Sequence, residues 1–95
     1  MLLAVWKFVL DKTDQQIIQV PVGAKVLSVA EQQSEIVLYF LVQPGARKVD
    51  RQVFIYGTGH PIYTDEKDCW SPRNRFVGTV NLLGGKLMFH VFVEE

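Results

Sequence analysis

The chain is poor in the features that mark several protein classes. Cys69 is the single cysteine among 95 residues. One thiol cannot build an internal disulfide framework and gives no reason to expect an oxidising compartment. Charge of neither sign predominates, because ten Lys and Arg offset ten Asp and Glu. Proteins that live on polynucleotide phosphates carry a basic surplus, so no polynucleotide partner is expected. Long apolar runs are missing too. The longest, Ile36 to Val42, has seven residues, far short of the ~20 needed for a membrane span, and no membrane partner is expected. Met1 to Leu10 has no basic start, is interrupted by Lys7 and precedes no small-residue cleavage site, so it reads as a strand and not a leader. Histidine is confined to His60 and His90, with no CxxC or HxxxH spacing. A zinc site takes about four ligands, so no metal and no cofactor are expected. Repeats, linkers and breaks in composition are also absent, which leaves one β domain over residues 1–95.

What the chain does have is 48% hydrophobic residues, enough to fold, set out with a period of two. Val5, Lys7 and Val9 fall on one face of an extended segment, with Trp6, Phe8 and Leu10 on the other. Asp11 to Gln15 is polar and ends this strand. Ile17 to Val20 is a short β-branched run stopped by Pro21. Val22-Gly23 turns the chain, and Lys25 to Glu31 alternates again. Glu31 to Glu35 is a second polar tip. Ile36 to Val42 is apolar on both faces, as expected of a central strand covered on both sides. Pro44-Gly45 suits a type II turn. Val49 to Tyr56 follows, with Val49, Arg51, Val53 and Ile55 on one face. Gly57 to Asn74 is a long loop, with room for a short helix in Asp65 to Cys69. Phe76 to Leu82 and Leu87 to Val93 form a hairpin around Gly84-Gly85. Seven short strands predict an all-β fold: a small antiparallel sandwich or an open barrel.

The last strand is apolar on both faces, with Leu87, Phe89, Val91 and Val93 on one and Met88, His90 and Phe92 on the other. It is either central in a sandwich or covered by another copy. Small domains bury only part of their surface, and this favours a homo-oligomer through the C-terminal hairpin.

Residues suited to chemistry are sparse. Cys69 has no base nearby in sequence and reads as an inert thiol. His90 lies between Phe89 and Val91 and reads as packed or at an interface. His60 follows a strand in the run Tyr56-Gly57-Thr58-Gly59-His60-Pro61-Ile62. Its glycines allow either a tight structural turn or a close approach of backbone N–H groups to a ligand. No Gly-Lys-Ser/Thr follows, so this is not a Walker loop. Arg47 and Arg51 flank the Pro44-Gly45 turn, and Arg73 and Arg75 end the long loop. Such residues either merely solvate the surface or make bidentate contacts to phosphate. Tyr56, Tyr63 and Trp70 are planar groups suited to stacking on a base. No carboxylate pair stands out, since Asp65, Glu66 and Asp68 read as a solvated run around Lys67. The set describes a small nucleotide pocket better than a catalytic site, and no enzymatic activity is expected.

The run Tyr56 to Ile62, the ending Gly84-Gly85-Lys86-Leu87-Met88-Phe89-His90-Val91-Phe92, and the shorter pieces Trp6-Lys7, Gly23 to Val29 and Phe76 to Thr79 resemble a family of short proteins encoded in tailed phages and prophages. The resemblance spans nearly the whole chain and implies a phage accessory protein acting in the host bacterial cytoplasm. Phage proteins of this size include anti-defence sponges that sequester cyclic nucleotide signals. The expectation is therefore a cyclic-nucleotide sponge that binds without turnover. The alternatives are a protein-binding inhibitor of a host defence effector or nuclease, a structural phage protein, or a small hydrolase using His60 or Cys69.

Overall fold

The computed structural model describes residues 1–62 and 74–94. Seven strands follow one another: β1 (Ala4–Leu10), β2 (Gln15–Pro21), β3 (Lys25–Gln32), β4 (Glu35–Val42), β5 (Lys48–Gly57), β6 (Asn74–Leu82) and β7 (Leu87–Glu94). They form two antiparallel sheets, β1-β4-β3 and β2-β5-β7-β6. The fold is an all-β sandwich, not a closed barrel. Asp65 to Cys69, where a short helix has room, lies outside the described residues.

The period of two sorts each strand into an inner and an outer side. Leu10, Ile36, Leu38, Phe40 and Val42 from one sheet meet Val20, Val53, Ile55, Val80, Leu82, Val91 and Val93 from the other in one buried cluster. Trp6 and Phe8 pack against its margin, and the Phe8 ring stands edge-on to Phe40 at 5.4 Å between centroids.

Three turn and strand expectations need correction. β2 starts at Gln15, inside the segment read as a polar turn, because Gln15 and Gln16 pair with Phe54 and Val53. On an edge strand backbone pairing does not require apolar side chains. The Pro44-Gly45 turn is closed by the Ala46 N–H on the Gln43 carbonyl at 3.0 Å, yet Gly45 keeps a negative φ. It is thus not a type II turn, since proline at the second position suits type I equally well. The type II signature belongs to Pro21–Ala24, where the Ala24 N–H reaches the Pro21 carbonyl at 3.1 Å and Gly23 has φ +82°.

The third correction concerns β4. It is central in its sheet, but only its inner side faces the other sheet. Val37, on the outer side with Tyr39 and Leu41, stands outside the core cluster yet is only 1% exposed; it lies between Val9 and Ala30 of the flanking strands and not under a second layer of described residues. β7 is likewise central, between β5 and its hairpin partner β6, with Met88, His90 and Phe92 on the outer side.

The sheets close together along β3 and β6. β6 shifts register between Phe76 and Gly78, and a Cβ placed on Gly78 would lie 2.9 Å from Val29 Cγ1. Only a residue without a side chain lets the two strands approach so closely.

Candidate functional site

The site is built where β5 ends. Tyr56 pairs with His90 of β7, which pairs with Thr79 of β6. All three project outward, opposite to Ile55, Val91 and Val80. After Gly57 the chain turns sharply: the His60 N–H donates to the Gly57 carbonyl at 3.1 Å, and Gly59 takes φ +84°. That φ at the third position of a four-residue turn favours glycine strongly. The turn folds the His60 ring back onto Gly57, so that a Cβ there would lie 2.8 Å from His60 Cε1 and 2.9 Å from Nδ1.

A second contact fixes the turn to the sheet. The Thr58 hydroxyl is 2.8 Å from His90 Nε2, and the Thr79 hydroxyl is 2.9 Å from His90 Nδ1. Both ring nitrogens are engaged, so the imidazole is locked in rotation and holds Thr58 in place.

Two clefts lie on either side of His60. One, of about 420 Å³, is lined by Asp14, Gln15, Phe54, Tyr56, His60 and Pro61. The other, of about 240 Å³, is lined by Gly57, Thr58, His60, Lys86, Leu87, Met88 and Phe89. The first is walled by rings: Phe54 and Tyr56 lie parallel at 6.5 Å, and Tyr56 meets Phe92 edge-on at 5.6 Å. Burial, and then the Asp14 carboxylate, push the Tyr56 phenol above its usual value of about 10. It is a neutral donor at physiological pH. A phenol whose folded pKa is raised adds stability below pH ~10, which is lost as pH rises through the folded value. Wild type should therefore lose its stability margin over Tyr56→Phe only above pH ~10, as read by denaturant unfolding across an alkaline series.

The structure brings together Tyr56, Gly57, Thr58, Gly59 and His60. It does not bring Arg47 or Arg51 to them. Arg47 is exposed and precedes Lys48 at the other end of β5, about 30 Å away along ten extended residues. Its carbonyl accepts the Val22 N–H. Arg51 points inward: its Nη2 donates to the Ala24 carbonyl at 3.3 Å, and its guanidinium lies 5.9 Å from the Phe40 ring centroid. Alternation had already put it on the core side with Val53 and Ile55, and the sandwich end is where a long stem can pack there. Arg75 is exposed and pairs with Val93, four residues along β7 from the Phe89 that faces Gly57, about 13 Å. Tyr63, Trp70 and Arg73 lie outside the described residues, as does Cys69. Among the described residues no cluster of three metal-ligating side chains occurs. No helix among them is long and apolar enough to cross a membrane.

Sequence reasoning missed Thr79, Lys86, Phe54 and the pairing of Thr58 with His90. Those two are separated by 32 residues and meet only through the register of β5 on β7. Lys86 sat in view as a hairpin residue, but only the fold puts it beside Thr58.

No curated protein and no solved structure matches the chain. A family profile described as a domain of unknown function matches residues 1–95. On the strength of that full-length match, the chain belongs to the family DUF7352.

Proposed function

We propose that this protein binds a small nucleotide at the His60 turn and holds it without turnover. The observation that carries the reading is the pair of clefts sharing His60. The cleft on the Tyr56 side offers a flat aromatic wall with a phenol donor, which suits stacking on a nucleobase. The other offers the Thr58 hydroxyl and the Lys86 ammonium, which suit a phosphate. A ligand astride His60 would use both. Lys86 thereby takes the part first expected of Arg47 and Arg51. The resemblance to short phage-encoded chains supplies the setting: an accessory protein in a host bacterium that sequesters a cyclic nucleotide signal. Retention without turnover fits a site that, among the described residues, has aromatic and cationic groups and the single carboxylate of Asp14.

Titration calorimetry against cyclic dinucleotides and 5′-AMP tests this. Binding of at least one is expected, with a loss of about tenfold or more in Tyr56→Ala, the scale of one stacked base. No heat and no thermal shift with any of them overturns the reading. So does product formation that His60→Ala abolishes, which would make the site an enzyme's. Capture of a stoichiometric host protein, with no nucleotide released on denaturing the complex, would favour an inhibitor of a defence effector.

A further inference from the structure

Both sheets leave an apolar outer side open among the described residues, and the two sides differ in charge. On the three-stranded sheet the rows across β1, β4 and β3 are Val5–Leu41–Lys25, Lys7–Tyr39–Ser28 and Val9–Val37–Ala30. Val5 and Val9 on the edge strand are more than half exposed, at 58% and 55%, while Val37 between Val9 and Ala30 is 1% exposed. The charged groups on this side are Lys7, Lys25 and, at one end, Glu35; Lys7 also donates to Gln32. On the four-stranded sheet, Gln15, Phe54, Phe92 and Phe76 form one row across all four strands. Phe76 is 52% exposed, and Ile17, on the same side, 58%. Among the described residues the charged groups here are Asp14, Asp50 and Glu94, with Lys86 at the hairpin end, so carboxylates predominate. Asp50 accepts from Gln19, and Glu94 accepts from the Gln52 N–H.

We propose that copies of this chain stack head to tail, the Lys7/Lys25 side of one lying on the Phe54/Phe92/Phe76 side of the next. Like-to-like pairing of either side would set carboxylates against carboxylates or ammonium groups against one another. The unlike pairing joins apolar to apolar and opposes charges of opposite sign at the rim. Such a contact is heterologous: each copy keeps one used and one unused side, so it propagates and does not stop at two. The three-stranded side limits the contact. Three strands ~4.8 Å apart and about seven residues long at ~3.3 Å each offer roughly 330 Å² of flat footprint. That places the interface in the weak class, with assembly rising with protein concentration and falling with salt.

The aromatic side includes Phe54, which also walls the larger His60 cleft, so the test uses the whole chain without ligand and reads assembly alone. Sedimentation velocity from low micromolar to hundreds of micromolar should show wild type growing beyond one chain. Val9→Glu spoils one side, and Phe76→Lys the other. Each should remain a single chain, with β-sheet circular dichroism unchanged. Mixed in equal amounts they should form a two-chain species, because one intact side of each kind remains. Ile17→Lys repeats the second arm on the opposite edge, should Phe76→Lys fail to fold. Wild type that stays single throughout overturns the proposal. A Val9→Glu variant that assembles like wild type does so too and shows aromatic side pairing with aromatic side. A mixture that stays single also overturns it.

Discussion

Phe40→Ala should cost about 3–5 kcal/mol of folding stability, as full truncations of buried phenylalanine do. Phe40 is wholly buried and among the largest fully buried side chains. It sits mid-sheet on β4, between Trp6 of β1 and Val26 of β3, so neither neighbouring strand can move in without breaking its own register. Removing the ring also strips Phe8 of its edge-on partner and leaves the Arg51 guanidinium facing a void. Domains of this size are stable by about 5–15 kcal/mol in total, so the variant should unfold at a much lower denaturant midpoint with an unchanged slope. A loss under about 1 kcal/mol would mean that the sandwich core is not centred on β4.

Gly78→Val should be the second most damaging change, at about 1–3 kcal/mol, the range for overpacked sites. Any Cβ at this position meets Val29 Cγ1 at 2.9 Å. Val29 is β-branched and cannot swing its methyl away at low cost. The damage should therefore depend on Val29. In a double-mutant cycle, Val29→Ala is expected to restore a large part of what Gly78→Val loses, giving a favourable coupling of about 0.5 kcal/mol or more. Strict additivity would show that β3 and β6 are not in close contact. The expectation is specific to the seam: the same two substitutions tested for ligand retention should leave it unchanged, because neither residue lines the clefts at His60.

Most of the fold was legible because its signal is local. Alternation in Trp6-Lys7-Phe8 or Val53-Phe54-Ile55 states which side chains point inward, and the structure keeps those assignments. Turn geometry was less legible. Pro44-Gly45 permits two turn types, and proline at the second position does not choose between them. The burial of β4 was legible, since none of Ile36 to Val42 is exposed, but what buries its outer side was not. Apolar residues on both sides of a strand look alike in sequence whether the second side meets a layer of the same chain or lies open. The site was legible in part. Tyr56 to His60 announced itself through glycine spacing. Which cations accompany it was not readable, because Arg47 and Arg51 are close to it in sequence and distant in space, while Lys86 is the reverse. Strand pairing decides such matters, and pairing is non-local.

The two threonines flanking His90 have a consequence for how the neighbouring turn is held. Each hydroxyl engages one ring nitrogen, and a hydroxyl can give or take a proton in a hydrogen bond, so the same two partners satisfy either tautomer of the ring. The turn that carries His60 is thereby tied to β6 and β7 through one imidazole, and a substitution that removed this ring would loosen the wall shared by both clefts at once.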